Sequence, residues 1–215
     1  MNTLPLPFAE SASGESIRLG AGITWLRGYA DSARLMTQIN QVATAAPFRH
    51  LVTPGGQTMS VAMTNCGPVG WVSDRSGYRY SSLDPLTERA WPAMPQEFLR
   101  LALAAATSCG FPDFVPDACL VNRYSPGARL TTHRDADEQN FAQPIVSVSL
   151  GLPANFAFYG LTRGGKGLAV ALTDGDVLVW GGPARLAYHA VRPIKPGTHP
   201  ITGGFRYNLT FRHAR

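Results

Sequence analysis

Hydrophobic and polar positions alternate along most of the chain after Gly110, with the period of two that is typical of half-buried β-strands. Asp174 and Gly175 form a turn signal before an apolar segment that ends at Trp180, which predicts a hairpin. Short strands separated by turns predict a sandwich or jelly roll and not alternating β and α units. The predicted strands are ACLVNRY, PIVSVSLG, ANFAFY, GLAVAL, DVLVW, RLAYHAV and FRYNLTFR.

The first half of the chain predicts two helices. Asp31 and Ser32 offer an N-cap for the first, whose apolar residues recur at helical spacing until Pro47. We expect the second to begin near Pro95, in a first-turn position, and to stop at Gly110. A short strand is expected around residues 23–26, and the alternating segment TMSVAMTN predicts a short hairpin among mobile loops.

Composition limits the class of protein without fixing its function. The 215 residues suit one β-rich domain, and the net charge of +5 suits an anionic partner such as nucleic acid, although a solvated basic surface explains it equally well. Three cysteines without CxxC spacing argue against a disulfide framework or a zinc ribbon. Neither a signal peptide nor a membrane span is evident. We therefore expect a soluble, cytoplasmic protein.

The residues with the clearest chemistry are widely spaced along the chain. His133 and Asp135 belong to the stretch HRD, and His189 follows much later. Two imidazoles and one carboxylate bind ferrous iron on one face and leave coordination positions open. Arg206 and Arg212, in the terminal RYNLTFR, are suited to holding a dicarboxylate beside the metal.

Strand alternation supports a polar pocket beside this predicted metal site. In FRYNLTFR it places Arg206, Asn208 and Arg212, with Thr210, on one face and the aromatic and aliphatic residues on the other. In ACLVNRY it groups Leu120, Asn122 and Tyr124. The predicted pocket therefore contains two guanidinium groups, amides and a phenol.

Each of these features also has an ordinary structural explanation. An HxD triplet arises by chance, a single histidine is often a hydrogen-bonded residue of the core, and arginines on a strand often pair with acidic neighbours. Their joint order favours the iron site: an HxD at the head of one strand, a later histidine, and two arginines on one strand face.

Longer stretches of the chain resemble one family. NRYSPGARLTTHRDADE, SVSLGLPANFAF, GDVLVWGGPARLAYHAV and RYNLTFR, with LVTPGG, TMSVAMTNCG and FPDF upstream, are similar to the AlkB DNA-repair dioxygenases from about residue 20 onward. The resemblance implies an α+β, mainly β fold, a double-stranded β-helix (jelly roll) with flanking helices. It further implies a flexible arm over 1–19 and a single domain over 20–215. This domain includes an N-terminal nucleotide-recognition lid at about 47–92 and a jelly-roll core at about 115–215.

The resemblance also implies the activity. It assigns one Fe(II) per chain to His133, Asp135 and His189, with 2-oxoglutarate and O2 as co-substrates. The positions that match the 2-oxoglutarate pocket are Asn122, Tyr124, Arg206, Asn208 and Arg212, the last also counted as catalytic. The implied reaction decarboxylates 2-oxoglutarate to succinate and removes N-methyl groups from 1-methyladenine and 3-methylcytosine in DNA as formaldehyde.

The same resemblance suggests residues that bind nucleic acid. Trp71 matches a base-stacking residue, although a core anchor is the ordinary alternative, and Asp137 is placed to attract a cationic base although a solvated loop acid is common there. The other matching or neighbouring positions are Met63, Tyr78, Tyr80, Thr53, Arg129, Arg134 and Arg163. Ordinary packing of the hairpin is the alternative role of Met63. A surface role is the alternative for the threonine and the arginines.

Three functions compete at this point. The first is a monomeric demethylase of alkylated DNA, with single strands preferred. The second keeps the chemistry and acts on RNA, or on protein, against which TPGG, Trp71 and the lid argue. The third is a non-catalytic nucleic-acid binder, which the intact ligand set disfavours, and a halogenase is disfavoured because Asp135 fills the carboxylate position.

Overall fold

A computed structural model describes residues 14–215, which form mainly antiparallel strands. The helices in this range are α1 Ser32–Ala45 and α2 Gln96–Ser108. The strands are β1 Ser16–Gly20, β2 Ile23–Leu26, β3 Arg49–Val52, β4 Thr58–Cys66, β5 Gly70–Asp74, β6 Gly77–Ser81, β7 Ala118–Tyr124, β8 Leu130–His133, β9 Ile145–Gly151, β10 Ala154–Gly160, β11 Leu168–Leu172, β12 Val177–Trp180, β13 Tyr188–Val191 and β14 Arg206–Arg212. None of the helices within this range is long and apolar enough to cross a membrane.

Two antiparallel sheets face each other. The major sheet has eight strands in the order β1-β2-β12-β9-β14-β7-β4-β3, and the minor sheet has four in the order β11-β10-β13-β8. Strands β5 and β6 form a separate hairpin. This arrangement confirms the predicted mainly β jelly roll with flanking helices.

The two faces of the major sheet are buried by different partners. The outer face packs against α1 and α2, where Ile39, Phe98, Leu209 and Phe211 belong to one apolar cluster. The inner face packs against the minor sheet in a second cluster that includes Trp180. Strand β14 lies between β7 and β9, so one of its faces supports the helices and the other is directed between the sheets.

The helices agree closely with the sequence prediction. The Asp31 carboxylate accepts hydrogen bonds from the amides of Ala33 and Arg34, which caps α1 as predicted. Pro95 stands at the N-cap of α2 and not inside its first turn, with an extended ψ of 142°. Proline has no backbone N–H, and at the N-cap no helical hydrogen bond requires one, so Pro95 can precede α2 without loss.

Two features of the structure differ from the local sequence pattern. Residues 16–19 of the predicted flexible arm lie in β1, which pairs with β2; residues 1–13 are outside the described range. Asp174 and Gly175 do form a turn, but the strands on either side do not pair as a hairpin. Strand β11 pairs with β10 in the minor sheet, whereas β12 pairs with β2 and β9 in the major sheet. The turn therefore connects the two sheets, which local turn chemistry does not distinguish from a hairpin.

The predicted lid range of 47–92 contains two different structures. Strands β3 and β4 are integral to the major sheet, because β4 pairs with β7 along most of its length. Only the β5–β6 hairpin is separate from both sheets. The jelly-roll core consequently extends upstream of residue 115, with β1 to β4 in its larger sheet.

Candidate metal centre and substrate cavity

Two histidines face each other across neighbouring strands of the minor sheet. His133, the last residue of β8, pairs directly with His189 of β13, and their ring centroids lie 4.4 Å apart. The sequence places the HxD at the head of a strand, but pairing of β8 stops at His133 and Asp135 lies in the following loop. The strand end thereby brings one carboxylate to two imidazoles.

The donor atoms of these three residues lie close enough to share one ion. They are within 4.8 Å of one another. Nε2 of His133 is 3.9 Å from Oδ1 of Asp135, and Nε2 of His189 is 3.8 Å from Oδ2. This set matches the two-histidine, one-carboxylate arrangement of Fe(II) oxygenases.

Both imidazoles are oriented by backbone carbonyls. Nδ1 of His133 lies 2.8 Å from the Thr131 oxygen, and Nδ1 of His189 lies 3.0 Å from the Ala187 oxygen. Because a carbonyl only accepts, each Nδ1 carries the proton and each Nε2 offers its lone pair to a metal.

The electrostatics of the site favour metal-binding protonation states. Burial, and then the neighbouring His133, lower the pKa of His189 to about 4, so the ring is neutral near pH 7. Burial alone would raise the pKa of Asp135, but Arg212 and the two imidazoles hold it well below its usual range. The carboxylate therefore stays ionised although it is buried.

Arg212 is bound to the metal-ligating carboxylate. Its Nη2 and Nε lie 2.9 and 3.2 Å from Oδ2 of Asp135, and its Nε lies 3.5 Å from Oε1 of Glu138. The sequence predicts that Arg212 and Arg206 both serve a dicarboxylate. In the structure Arg212 binds Oδ2 of Asp135 and also lines the cavity, while Oδ1 of Asp135 lies 3.9 Å from Nε2 of His133.

Arg206 is a buried cation of the cavity that has no carboxylate partner among residues 14–215. Its side chain is 1% exposed, and only Nη2 has a hydrogen bond, to Oγ of Ser149 at 3.0 Å. Among residues 14–215 neither Nε nor Nη1 has a partner. The guanidinium lies 4.8 Å from the centre of the Tyr124 ring. Buried donors without acceptors are costly, so this group fits an absent anion such as the far carboxylate of 2-oxoglutarate.

The amides beside Arg206 form a connected network. Asn208 donates from Nδ2 to Oγ of Ser147 at 2.8 Å, and its Oδ1 accepts from Nδ2 of Asn122 at 3.3 Å. Oδ1 of Asn122 has no partner within the described part of the chain. The predicted polar face of the last strand is confirmed, since Arg206, Asn208, Thr210 and Arg212 all line one cavity.

The metal site opens into a cavity of about 470 Å³. Most residues predicted to bind metal, co-substrate or nucleic acid line it: His133, Asp135, His189, Asn122, Tyr124, Arg206, Asn208, Arg212, Trp71, Tyr78, Asp137, Met63, Thr53, Arg129 and Arg134. Tyr80 and Arg163 do not. The Tyr80 hydroxyl donates to Oε1 of Glu138 at 2.6 Å, and Arg163 donates to the Thr132 carbonyl at 3.2 Å.

Trp71 connects the β5–β6 hairpin to the loop that follows β8. Its ring lies parallel to that of Tyr78, at 5.5 Å and 14°, and its Nε1 donates to Oδ2 of Asp137 at 2.8 Å. The indole is partly exposed and lines the cavity. Trp71 thus borders the cavity and also packs against the apolar cluster of the inner sheet face.

The remaining predicted contacts lie elsewhere on the cavity wall. Met63 of β4 is a buried side chain that forms part of the cavity wall. Arg129 and Arg134 are exposed, and the Arg134 guanidinium lies 5.4 Å from the centre of the Tyr188 ring. Thr53 is held in its loop, where its amide donates to the Gln57 carbonyl at 2.8 Å.

Three buried residues around the site were not predicted. Asn65 pairs with both backbone groups of Trp71, each at 3.0 Å, and so fixes the start of the hairpin. Glu138 is 6% exposed and pairs with Arg185 at 3.0 Å. The only local sign of a buried acidic residue here is the presence of Asp137 and Glu138 shortly after the HxD triplet.

The amino-acid sequence also matches a known protein family. Residues 22–212 match the family model described as the 2OG-Fe(II) oxygenase superfamily. The chain is 57% identical to the alpha-ketoglutarate-dependent dioxygenase AlkB of Escherichia coli (strain K12), over 91% of this chain and 92% of that protein.

Further relatives agree. AlkB of Salmonella typhimurium is 52% identical to the chain and covers 96% of both sequences. Among solved structures, that of OsALKBH1 has a TM-score of 0.81 at 26% identity, with 93% of this chain and all of that chain covered. Sequence and fold therefore point to the same family.

Proposed function

The chain belongs to the AlkB family of the 2OG-Fe(II) oxygenase superfamily and is an Fe(II)- and 2-oxoglutarate-dependent dioxygenase, and we propose that it repairs DNA by oxidative demethylation. Its substrates under this proposal are N-alkylated bases, 1-methyladenine and 3-methylcytosine. The methyl group is lost as formaldehyde, and 2-oxoglutarate is converted to succinate and carbon dioxide.

The proposal depends chiefly on one observation, the unpaired buried Arg206 beside the triad of His133, Asp135 and His189. Fe(II) and 2-oxoglutarate, when bound, supply the activation of O2 and the oxidation of the methyl group. The protein residues hold and orient these groups. The two Nε2 atoms and the Asp135 carboxylate suit the metal, and the planar guanidinium of Arg206 suits a carboxylate.

Base recognition is proposed on the other side of the metal site. Trp71 offers an aromatic face, and stacking of a base on such a face typically contributes about 1–3 kcal/mol. Asp137 beside it carries a negative charge that attracts a methylated, cationic base. Bases that pair poorly are also easier to flip out of a duplex, so both terms favour damaged bases over normal ones.

Contacts to the phosphate backbone are proposed for the polar residues at the cavity rim and beside it. Arg129 and Arg134 are exposed cations that line the cavity, and Arg163 lies on the loop between β10 and β11. Thr53 and Tyr80 complete the proposed set, with Tyr80 able to act only after it leaves Glu138. Each phosphate contact makes binding weaker as salt rises.

We also propose that the enzyme is a cytoplasmic monomer that prefers single-stranded DNA. All three cysteines are free thiols, which suits a reducing compartment. A single strand presents its bases without the cost of breaking a pair, which is a few kcal/mol in a duplex. Gel filtration and a comparison of single- and double-stranded substrates test these points separately.

The decisive experiment measures formaldehyde released from an oligonucleotide that contains one 1-methyladenine, with Fe(II), ascorbate and 2-oxoglutarate. We expect release from DNA by the wild type and by His199→Ala, a histidine outside the cavity that lies 3.7 Å from Asp174. We expect none from His133→Ala or without O2. Equal turnover by His133→Ala would refute the metal site, and stronger turnover on a matched RNA would refute the preference for DNA.

A further inference from the structure

One loop carries much of the proposed site. The segment 134–144, between β8 and β9, contains the metal-ligating Asp135, the cavity residue Asp137 and the buried Glu138. A loop of this length without regular secondary structure requires fixed contacts if its carboxylates are to keep their positions. Several segments supply such contacts, and three hydrogen bonds come from a single arginine, Arg185.

Arg185 follows the 3₁₀ turn formed by residues 182–184 and is 2% exposed. Its Nε donates to the Gln143 carbonyl at 2.9 Å and its Nη1 to the Asp135 carbonyl at 2.9 Å. Its Nη2 donates to Oε2 of Glu138 at 3.0 Å. Each of its three nitrogens therefore contacts the same loop, at both ends and at an interior position.

The second face of this contact is aromatic. The Arg185 guanidinium lies 5.4 Å from the centre of the Phe141 ring, which also belongs to the loop. A cation beside an aromatic ring, combined with donors in a fixed fork, is typical of arginine. A lysine at the same position carries its three donors on one nitrogen, so it does not reproduce contacts that Arg185 makes through three separate nitrogens.

Asp135 is consequently held at two points by two arginines. Arg185 binds its backbone carbonyl, and Arg212 binds its carboxylate oxygen Oδ2. Glu138 is shared by the same pair, through Oε2 to Arg185 and Oε1 to Arg212. The four charges form a compensated buried cluster, which avoids the cost of an isolated buried ion.

The segment that carries Arg185 also orients a second metal ligand. The Ala187 carbonyl, two residues later, accepts the Nδ1 proton of His189. Residues 185–189 thus set the position of Asp135 from one side and the ring orientation of His189 from the other. Movement of this segment would change both ligands together.

We propose that Arg185 is a positioning residue that holds the ligand loop in its metal-binding conformation before the metal arrives. The inference depends on the proposed function only through the identity of the metal site, because Arg185 does not line the cavity and binds Asp135 through its backbone carbonyl. Loss of residues that orient metal ligands typically lowers metal affinity by about 10- to 100-fold.

The test uses Mn(II) as a redox-inert probe, with free ion measured by electron paramagnetic resonance. We expect Arg185→Met to weaken Mn(II) binding about tenfold or more, and Arg185→Lys by a smaller factor. Arg49→Lys is the matched control, because it alters an arginine–aspartate pair, with Asp84 at 2.8 Å, whose residues do not line the cavity. Its Mn(II) affinity is expected to stay within about twofold of wild type. Equal affinities of Arg185→Met and wild type would overturn the proposal.

A second measurement on wild type applies even if the Arg185 variants do not fold. Hydrogen exchange of the Gln139 amide, which donates to the Ala214 carbonyl at 3.1 Å, is expected to be slow in the metal-free protein and to slow less than about fivefold on Mn(II) binding, since the loop is already ordered. A loop that exchanges freely until Mn(II) is added would overturn the proposal. Normal Mn(II) binding with no formaldehyde release would instead contradict the demethylase function and leave the role of Arg185 intact.

Discussion

Arg206 and Arg212 stand on the same face of one strand, yet only Arg212 is paired with a carboxylate. Arg212 binds Asp135 through two nitrogens, whereas Nε and Nη1 of Arg206 have no partner among the described residues. Arg212 therefore holds the metal-ligating carboxylate of Asp135 in place, whereas Arg206 has donors that are available to an anion.

Replacement of Arg206 tests this division. We expect Arg206→Lys to raise KM for 2-oxoglutarate about tenfold or more, because a lysine ammonium cannot bind a carboxylate through two parallel hydrogen bonds. Mn(II) affinity is expected to change less than about twofold, since Arg206 does not contact Asp135. An unchanged KM would show that the co-substrate carboxylate binds elsewhere.

The negative charge of Asp137 is separable from its hydrogen bond. Asp137→Asn keeps an oxygen that accepts from Nε1 of Trp71 but removes the charge. We expect kcat/KM on cationic 3-methylcytosine to fall about tenfold, equivalent to about 1.4 kcal/mol, with a much smaller loss on neutral 3-methylthymine. Equal losses on both lesions would mean that the charge plays no part in selection.

The Asn65 amide fixes the backbone of Trp71 and so the hairpin that carries it. Asn65→Ala leaves one buried donor and one acceptor without partners, and each typically costs about 1–3 kcal/mol. We expect lower stability in urea unfolding and a higher KM for methylated DNA, with KM for 2-oxoglutarate unchanged. A higher KM for 2-oxoglutarate alone would contradict a role confined to the hairpin.

The depressed pKa of His189 makes the metal-free protein sensitive to acid. The unfolded chain binds a proton at this residue near pH 6.5, whereas the folded chain does so only near pH 4. Stability from this residue is therefore complete above pH 6.5 and is lost as the pH falls toward 4. We expect the free energy of unfolding to be about 2 kcal/mol lower at pH 5 than at pH 7.

The matched variant for this measurement is His189→Asn, which has no titrating ring at that position. Its unfolding free energy in urea is expected to vary less between pH 7 and pH 5 than that of the wild type. The same dependence on pH in both proteins would assign the effect to another residue.

Local sequence pattern was sufficient to predict the two helices, several strands and the polar side chains that line the cavity. The N-cap at Asp31 and the strict alternation of the last strand are consequences of hydrogen bonding and side-chain geometry within a few residues, so they are readable in the sequence. Alternation alone placed Arg206 and Arg212 in one cavity. The family resemblance supplied Trp71 and Asp137.

The mispredictions share one cause, since each depends on partners distant in sequence. The turn at Asp174 looks like that of a hairpin, but the strands beside it enter different sheets. Residues 16–19 look like a loose arm, but β2 gives them a pairing partner.

The sequence by itself determined the two helices, most strands of the second half of the chain and the polar face of the last strand, because period, capping and donor type are local properties. Only the tertiary structure decided which charges are compensated. Burial of Arg212, Asp135, Glu138 and Arg185 in one cluster, with Arg206 left unpaired, results from strands and loops far apart in sequence packing together. The free energy of a buried charge depends on those neighbours, so no single segment contains the information.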